Sequence, residues 1–489
     1  MCLGVADGKE CKVNMKQFPN GFFYAGGIAA NQAEGAYNVD GKGLSTTDMR
    51  KTGGASIHDY DVNFKDFEEG FDYPYTRAVH FYERYEEYLD MMQELGLNAF
   101  RTSISWARIF PNGDDETPNE KGLEYYEKLV DAMIARGMEP LMTLTHFELP
   151  LALAQKYGGW SNRKLIDLYV RYCEVLFRRL KGKVKYWITF NEINNSVIFP
   201  FWILGIDIRN SDNPKQELYQ AIHHCFVANA LSIKKLREID PEAKIGDMTS
   251  VSTIYPYSCN PNEMFEAHRL RRLKYFFKDV QILGEYPYQM KRYFKENNVN
   301  LKIEDGDLEL IKQYTVDYVT CSYYQSAVYK EGEQIISDTG GFSSKVKNPY
   351  LKATPWGWQI DPTGLRFVLN ELYERYHLPI LISENGIGML EELDQNNTVI
   401  DTYRNEYVGN HLKACLEAIE DGVEVMGYTY WGPFDIISAS TCEMKKRYGF
   451  VFVNYDDEGN GDGKLYKKLS FDWFKNVIET KGESLFEDK

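Results

Sequence analysis

Short apolar, β-prone runs recur along the chain and alternate with amphipathic helical patterns. A run of about four to eight apolar residues predicts a buried strand, whereas apolar residues spaced by three and four predict a helix with one buried face. Eight strands are predicted, at residues 22–29, 98–105, 140–145, 185–190, 243–247, 316–322, 379–383 and 425–430.

Two of the helical patterns between these strands have recognisable ends. In Phe81–Leu95 the apolar residues follow helical spacing, and Gly96 comes next as the predicted C-terminal cap. Glycine suits that position because it readily adopts the left-handed backbone conformation that ends many helices. A second helix is predicted at residues 165–180, with Ser161 or Asn162 as its N-cap.

The alternation of strands and helices predicts an α/β fold whose strands pair in parallel, and eight such strands close a (β/α)8 TIM barrel. The alternative, a doubly wound open sheet, would be expected to have a glycine-rich phosphate loop after an early strand. The segment GGIAANQAEG at residues 26–35 matches neither G-x-G-x-x-G nor the Walker pattern. Successive strands lie about 40 to 75 residues apart, which requires long inserted βα loops. We therefore predict a single (β/α)8 barrel domain over residues 1–489.

Composition and charge narrow the range of partners. The chain has 489 residues, of which 44% are hydrophobic and 26% charged, and its net charge is −16. Such an acidic protein is a poor nucleic-acid binder, because binding of that kind depends on neutralising phosphates with Lys and Arg. An anionic membrane surface would repel it as well. An anionic substrate would need a local basic pocket.

Cysteine usage and the apolar segments bear on location. The eight cysteines contain no C-x-x-C pair, so neither a zinc ribbon nor a thioredoxin-like motif is expected. The N-terminal MCLGVADGKECKVNMKQF lacks the apolar core of a secretion signal. The longest apolar stretch, about ten residues at 197–206, is shorter than the roughly 20 that a membrane helix needs. We expect a reduced, cytoplasmic protein without membrane partners, which can form a homo-oligomer.

Two glutamates follow predicted strands, at the barrel end where such folds carry their chemistry. Strand four runs into ITFNEINN, with Glu192, and strand seven runs into ILISENGIG, with Glu384. One such carboxylate is equally well explained as a helix cap or a loop ion pair. Two on opposite sides of one barrel face each other across the cleft. Hydrolysis of a glycosidic bond needs such a pair, one to protonate the leaving oxygen and one to attack or to activate water.

The other strand ends are polar or aromatic. They carry Arg101 after strand two, His146 after strand three, Tyr324 after strand six and Trp431 after strand eight. A lone histidine is more often structural than functional, but this whole ring of residues suits a sugar, which offers hydroxyl groups and an apolar face. No His, Asp and Cys cluster has metal-ligand spacing, so no metal or other cofactor is expected.

At these residues the sequence resembles glycoside hydrolase family 1, which contains β-glucosidases and 6-phospho-β-glucosidases. The resemblance extends from about Phe18 to about Trp473, and TFNE followed about 190 residues later by SENG is a highly specific combination. It implies a retaining mechanism with Glu192 as acid/base and Glu384 as nucleophile. The other implied site residues are Gln32, His146 and Asn191 at the sugar hydroxyls, Arg101 and Tyr324 beside Glu384, Trp431 under the glycone and Trp358 on the aglycone side.

These roles require an ionised Glu384 and a protonated Glu192. We expect the guanidinium of Arg101 to lower the pKa of Glu384. The negative charge of Glu384 should in turn raise the pKa of Glu192. When Glu384 is glycosylated that charge disappears, so Glu192 can then act as a base.

A phosphate site is predicted in WGPFDIISASTCEMKKRYGF, which begins at Trp431. Plain β-glucosidases of the family typically have Glu and Trp where this chain has Ser438 and Ala439, and that Glu would repel a 6-phosphate. A basic run such as KKR is usually a solvated surface patch, but its position directly after the glycone loop favours a phosphate site. The resemblance to 6-phospho-glycosidases implies that Ser440, Lys446 and Tyr448 bind phosphate, with Ser438 taking or sharing the serine's part.

Three further positions bear on the subgroup. Members that prefer 6-phospho-galactosides commonly have Trp at the position of Ala439, so alanine favours the glucoside. Phe147 replaces a Trp of the plain enzymes, as in the phospho-subgroup, and Cys442 stands where glycine is usual.

The resemblance implies a 6-phospho-β-glucosidase whose partner is a phosphorylated β-glucoside, such as cellobiose 6-phosphate or an aryl or alkyl β-glucoside 6-phosphate. The product would be glucose 6-phosphate. The alternatives are a plain β-glucosidase, a 6-phospho-β-galactosidase and, from another class, a catalytically inactive glycan-binding barrel.

Overall fold

A computed structural model describes residues 16–53, 60–336 and 342–487. The N-terminal segment considered above, with two of the cysteines, lies mostly outside these ranges. Parallel strands form the centre of the described part, and we number them along the barrel. They are β1 Phe23–Gly27, β2 Ala99–Ser103, β3 Glu139–Thr145, β4 Tyr186–Phe190, β5 in two pieces (Lys244–Gly246 and Thr249–Ser250), β6 Val319–Ser322, β7 Ile380–Asn385 and β8 Val425–Trp431.

The sheet closes at β5. Its first piece pairs with β4 and its second piece pairs with β6, while Gly246 also bridges Tyr318 just before β6. Around the other side β1 pairs with both β2 and β8, and β7 joins β8 to β6. The nine strand pieces of this sheet therefore make a closed eight-stranded barrel within the described residues. The predicted (β/α)8 fold is confirmed, and each predicted strand overlaps an observed one.

Helices connect the strands and cover the outside of the barrel. The α-helices are Ala30–Ala33, Phe81–Leu95, Trp106–Ile109, Glu120–Ala135, Leu151–Tyr157, Leu165–Arg179, Pro200–Leu204, Pro214–Ile239, Pro261–Leu283, Gln289–Glu296, Asp307–Gln313, Pro362–Tyr376, Thr402–Glu420 and Leu469–Glu479. Short 3-10 helices are Pro74–Thr76, Gly159–Ser161, Ile193–Val197 and Glu483–Phe486. Outside the barrel, short strands pair as Ile254–Pro256 with Ala327–Tyr329, Gln334–Ile336 with Phe342–Ser344, and Val451–Val453 with Leu465–Lys467. None of the described helices combines the length and apolar composition needed to cross a membrane.

The two helix ends examined in the sequence have different outcomes. Phe81–Leu95 has the predicted bounds, and Gly96 ends it at φ 92°, in the left-handed region. The N-cap prediction for the helix Leu165–Arg179 is wrong, because the cap is Lys164. A 3-10 turn occupies Gly159–Ser161, and the side chain of Asn162 accepts a hydrogen bond from the Lys164 backbone N–H (3.0 Å), one residue before the helix.

The interior of the barrel is apolar at one end and polar at the other. Towards the N-terminal ends of the strands a cluster fills the interior, consisting of Ala25, Ala99, Leu141, Tyr318 and Leu381. The larger apolar core lies between strands and helices and includes residues from Phe18 to Leu485. Because the apolar cluster fills one end of the interior, the polar residues of the barrel lie towards the C-terminal ends of the strands.

A buried ion pair supports the break in β5. Asp247 lies between its two pieces, and Lys278 of the helix Pro261–Leu283 donates to its carboxylate at 2.7 Å. Lys278 also donates to the backbone oxygen of Thr320 in β6, and the Thr320 N–H donates to Asp247 (3.2 Å). Both charged side chains are fully buried. The pair thus links the two strands at which the barrel closes.

We predict that Lys278→Met lowers the free energy of unfolding by about 3–5 kcal/mol, because it leaves Asp247 buried without its partner. The shift in the midpoint of urea unfolding measures this. Lys312→Met, at a lysine whose side chain is 62% exposed, is the matched control and should change stability by no more than about 0.5 kcal/mol. The double variant Lys278→Met, Asp247→Asn should be more stable than Lys278→Met alone. Equal midpoints for Lys278→Met and its control would contradict the prediction.

Candidate active site

A cavity of about 340 Å³ opens at the C-terminal ends of the barrel strands, within the size range of small-molecule sites. The predicted site residues that line it are Gln32, His146, Glu192, Tyr324, Trp358, Glu384, Trp431, Ser440 and Tyr448. The other four, Arg101, Asn191, Ser438 and Lys446, are buried and bonded to lining residues or to one another. The structure therefore brings all the sequence-predicted site residues together. In the described ranges no cluster of His, Cys, Asp and Glu is arranged to hold a metal.

Glu384 is held at both of its carboxylate oxygens. It lies near the end of β7, where the register against β6 shifts between Ile382 and Glu384. Arg101 donates to one oxygen at 2.6 Å, and the hydroxyl of Tyr324 donates to the other at 2.8 Å. A register shift like the one between Ile382 and Glu384 changes the direction of the side chains at the end of a strand. The carboxylate is thus fixed in one orientation beside a permanent cation.

Glu192 is held by neutral donors in an unfavourable backbone conformation. It lies two residues after the end of β4, and its φ of 40° lies in the left-handed region that residues other than glycine rarely adopt. The hydroxyl of Ser322 donates to one carboxylate oxygen and the amide of Asn195 donates to the other at 2.6 Å. Strained backbone of this kind is concentrated at functional sites.

Ser322 and Asn195 were not among the predicted site residues. Ser322 is the last residue of β6. The rule that selected Tyr324 from the end of the same strand therefore also covers it. Asn195 belongs to the NEINN motif, three residues after Glu192, where a 3-10 turn returns its side chain to the carboxylate. The three-residue spacing between Glu192 and Asn195 in that motif could therefore have identified Asn195 from the sequence.

The two carboxyl groups differ in their electrostatic surroundings. Burial and, as the second cause, the negative charge of Glu384 together raise the pKa of Glu192 to about 8, against the opposing effect of the donors around it. Burial also raises the pKa of Glu384, although Arg101 and Tyr324 lower it. Arg101 therefore has the expected lowering effect on the pKa of Glu384, but the loss of solvation outweighs it and the net shift is upward. Only Glu384 contacts a cation, so it is the carboxyl that ionises first.

Gln32, His146 and Asn191 present unused hydrogen-bonding atoms. Arg101 donates to the side-chain oxygen of Asn191 at 2.5 Å, which turns the amide nitrogen towards His146 Nε2 at 3.1 Å. Burial lowers the pKa of His146 well below its usual value, so the ring is neutral. Gln32 donates to the backbone oxygen of Ile437 at 2.6 Å. Gln32 Oε1 and His146 Nδ1 have no protein partner although buried, and hydroxyl groups of a ligand would satisfy them.

An aromatic surface complements this polar wall. Trp431, the last residue of β8, stacks on His146 with ring centroids 5.4 Å apart, and the Arg101 guanidinium lies 5.8 Å from its ring centroid. Trp358 packs against Tyr324 at 5.5 Å. A cavity with hydrogen-bonding groups on one side and ring faces on another matches the two surfaces of a sugar.

A cluster of one ammonium and three hydroxyl groups lies beside the cavity. Lys446 donates to Ser440 Oγ at 3.0 Å, and the hydroxyls of Ser440 and Ser438 are 3.2 Å apart. Tyr448 lines the cavity next to Ser440, while Ser438 is fully buried behind it. The ammonium lies 3.9 Å from the centroid of the Trp358 ring, and burial lowers its pKa to about 8. Among the described residues no carboxylate forms an ion pair with Lys446.

The residues on either side of Lys446 have different surroundings. Lys445 is half exposed and pairs with Glu443 at 2.7 Å, whereas Arg447 is buried and pairs with Asp435 at 3.2 Å. The KKR run is therefore not a continuous surface patch. Lys445 is paired with an acid at the surface, Arg447 belongs to a buried ion pair, and Lys446 lies next to the cavity.

Phe147 and Cys442, two further positions considered in the sequence, both have left-handed backbone conformations. Cys442 has φ 54°, which explains why glycine is usual there, and Phe147 has φ 52° where it lines the cavity. Arg50, which the sequence did not reveal, also lines the cavity and donates to the backbone oxygen of Ala439 at 2.9 Å. It holds the loop that carries Ser438 and Ser440.

Comparison with known proteins agrees with this geometry. The family model for glycosyl hydrolase family 1 matches residues 14–483, and the chain belongs to that family. It is 48% identical over 473 residues to the aryl-phospho-beta-D-glucosidase BglH of Bacillus subtilis, covering 96% of this chain and 99% of that one. It is 46% identical to a phospho-cellobiase of Klebsiella oxytoca, covering 97% of this chain and 100% of the relative.

Solved structures show the same fold. A family 1 b-glucosidase from Thermotoga maritima superposes with a TM-score of 0.81 at 28% identity, covering 96% of this chain and all of that one. The same protein in complex with glucoimidazole also has a TM-score of 0.81. The chain is thus more similar in sequence to relatives named for phosphorylated substrates than to this plain glucosidase.

We predict that the pKa of Glu192, about 8, responds in opposite directions to changes at its two neighbours. Glu384→Gln should lower it, because the variant removes the nearby negative charge, and Ser322→Ala should raise it, because the ionised form loses a donor. Titration of carboxyl carbons by ¹³C NMR, assigned with Glu192→Gln, measures both. Shifts in the same direction, or none, would show that these two residues do not control the titration.

Proposed function

We propose that this protein is a retaining 6-phospho-β-glucosidase, which hydrolyses 6-phospho-β-D-glucosides and releases glucose 6-phosphate. The observation that carries the phosphate specificity is the cluster of Lys446, Ser440 and Tyr448 beside the cavity of the two glutamates. A buried ammonium without a carboxylate partner is costly unless an anion or other acceptor joins it. Because the net charge of the chain is −16, an anionic substrate needs a local positive group of this kind at its binding site.

In the first step Glu192 donates its proton to the glycosidic oxygen while Glu384 attacks C1, and the aglycone leaves as an alcohol. The raised pKa of Glu192 keeps that carboxyl protonated near neutral pH. Arg101 and Tyr324 hold the Glu384 carboxylate in place for the attack. The product of this step is a glycosyl ester on Glu384.

In the second step water attacks C1 of that ester. Ester formation has removed the negative charge of Glu384, so the pKa of Glu192 falls and its carboxylate can accept the proton of the water. The C1–O bond to Glu384 breaks, the carboxylate is restored and glucose 6-phosphate leaves with its β-configuration. One group therefore serves as acid and then as base because its neighbour changes charge.

The alternatives have less support. A plain β-glucosidase would not need a buried ammonium at the 6-position, and the small side chain of Ala439 at the cavity favours the glucoside over the galactoside type. An inactive glycan-binding barrel would not need two glutamates with separate sets of donors. The relatives named aryl-phospho-beta-D-glucosidase and phospho-cellobiase also favour phosphorylated glucosides.

We further propose that the whole chain acts as one domain in the cytoplasm. The apolar core that includes both Phe18 and Leu485 supports one domain. The six described cysteines are unpaired, and five of them are buried, which is usual in a reducing compartment. Homo-oligomer formation stays a prediction.

We predict that Glu384→Ala abolishes turnover and that azide or formate partly restores it by attacking from the vacated side. Glu192→Ala should instead retain activity on substrates with good leaving groups, for which protonation matters least. Rates across nitrophenyl and alkyl β-glucoside 6-phosphates measure this, and ¹H NMR should show the β-anomer forming first. If the α-anomer forms first, or both variants depend alike on leaving-group pKa, the assigned mechanism is wrong.

We predict that Lys446→Met lowers kcat/KM for nitrophenyl β-glucoside 6-phosphate by about 10- to 150-fold, the value of one charge-assisted hydrogen bond. The unphosphorylated glucoside should be unaffected, because it never reaches the ammonium. Lys445→Met, at the acid-paired neighbour, is the control for net charge. Wild-type protein should prefer the glucoside 6-phosphate to the galactoside 6-phosphate and to the plain glucoside.

The same experiment has a pH dependence. With a pKa of about 8, Lys446 loses its charge above pH 8, so the ratio of kcat/KM for phosphorylated over plain substrate should fall there. Titration of Glu192 affects both substrates and cancels in the ratio. Equal losses on both substrates in Lys446→Met would make the lysine structural and remove the main support for phosphate specificity.

A further inference from the structure

Besides Lys446 and Arg50, another cation faces the same cavity and has no place in the mechanism above. Lys274 of the helix Pro261–Leu283 lines the cavity, and its ammonium donates to Ser252 Oγ at 2.8 Å. Among the described residues it forms no ion pair with a carboxylate. Burial lowers its pKa to about 8, and the charge that opposes this shift is that of Glu192. The ammonium is therefore recessed in the cleft wall, near the acid/base, with two N–H donors unused.

The position of Lys274 in the barrel separates it from the phosphate cluster. Its partner Ser252 follows the second piece of β5, where the Ser250 backbone is hydrogen-bonded to Asn194, two residues after Glu192. Ser440 and Lys446 lie instead in the loop after β8. In a closed barrel of eight strands, β4 and β5 are on the opposite side from β8 and β1. A sugar whose 6-phosphate meets Lys446 therefore presents a different part of the substrate to Lys274.

That part is the aglycone side. Glu192 donates its proton to the bond between glycone and aglycone, so groups beyond Glu192 on the β5 side meet the leaving group. A second cavity, of about 160 Å³, shares Ser252, Lys274 and Gln325 with the first. Lys274 thus stands where the cleft continues away from the glycone. The other lining residues of the second cavity are mainly polar, and they are Ser326, Ala327, Ser344, Val346, Lys347 and Gln359.

We propose that Lys274 and Ser252 form an aglycone site for a hydroxylated ring, so that the substrates this protein favours are phosphorylated disaccharides. The inference rests on the proposed function. A recessed ammonium with free donors needs oxygen acceptors, and the hydroxyl groups of a second sugar supply them. An alkyl or simple aryl aglycone would displace water from the ammonium without replacing its hydrogen bonds.

The test compares substrates that share the glycone and differ in aglycone hydroxyls. Lys274→Met keeps the length of the side chain and removes the charge. It should lower kcat/KM for cellobiose 6-phosphate by about 10- to 100-fold. The change for cyclohexyl β-glucoside 6-phosphate and for nitrophenyl β-glucoside 6-phosphate should be less than about threefold. Lys291→Met, at an exposed lysine of the helix Gln289–Glu296, is the control for net charge.

The cyclohexyl substrate separates binding from acid catalysis. Lys274 also stabilises ionised Glu192, so its loss raises the pKa of Glu192 and alters proton donation. Cellobiose and cyclohexyl glycosides both need that proton, whereas a nitrophenolate leaves readily without it. Equal losses of kcat/KM on cellobiose 6-phosphate and on the cyclohexyl substrate would mean that Lys274 acts only through Glu192, and the proposal would be overturned. A selective loss on the nitrophenyl substrate would also overturn the proposal, because the ammonium would then contact an aromatic aglycone and not the hydroxyl groups of a sugar.

A second measurement uses the glycosyl ester that follows aglycone departure. Glucose added as an acceptor should re-enter the aglycone site and form a phosphorylated disaccharide. In Lys274→Met the ratio of this transfer to hydrolysis of the same glycosyl ester should fall about tenfold or more, because the acceptor loses a charge-assisted hydrogen bond. An unchanged ratio would overturn the proposal. Failure of wild-type protein to hydrolyse any 6-phosphorylated glucoside would instead refute the proposed function, so the two failures are distinguishable.

Discussion

The guanidinium of Arg101 is the interaction on which the arrangement of the site depends. It is fully buried inside the barrel, so every donor it uses must find a partner there. Its partners are Thr143 Oγ1 in β3, Asn191 Oδ1 after β4, Ser383 O in β7 and Glu384 Oε1 in β7. One side chain from β2 thereby sets the orientation of Glu384 and of the amide that faces His146. Without it, Glu384 would be a buried and uncompensated carboxylate.

The remaining charges of the site follow a common pattern. Glu192 is held only by neutral donors and has a pKa of about 8, while Lys446 and Lys274 lack carboxylate partners in the described part of the chain. Buried charges of folded proteins are normally paired. Lys446 and Lys274 therefore have unmet interactions, which under the two proposals the 6-phosphate and the aglycone hydroxyls complete, and protonated Glu192 would donate to the glycosidic oxygen.

Backbone conformation carries some of the cost of this arrangement. Phe147, Glu192 and Cys442 all have φ between 40° and 54°, and the first two lie two residues after the ends of β3 and β4. Such conformations cost about 1–3 kcal/mol each and persist where surrounding contacts over-determine them. At Glu192 such contacts are the hydrogen bonds that its carboxylate accepts from Ser322 and Asn195, and at Cys442 the backbone N–H donates to the Ser438 backbone oxygen at 2.9 Å.

The sequence by itself determined the eight strands, the (β/α)8 fold and the two strand-end glutamates, because hydrophobic periodicity and short motifs are local properties. Tertiary structure alone decided the break in β5, the cap of Leu165–Arg179 and the raised pKa of Glu384. It also placed Ser440 rather than Ser438 at the cavity and brought Lys274 to it from a distant part of the chain. Burial and contacts between remote residues govern these features, and neither can be read from spacing along the chain.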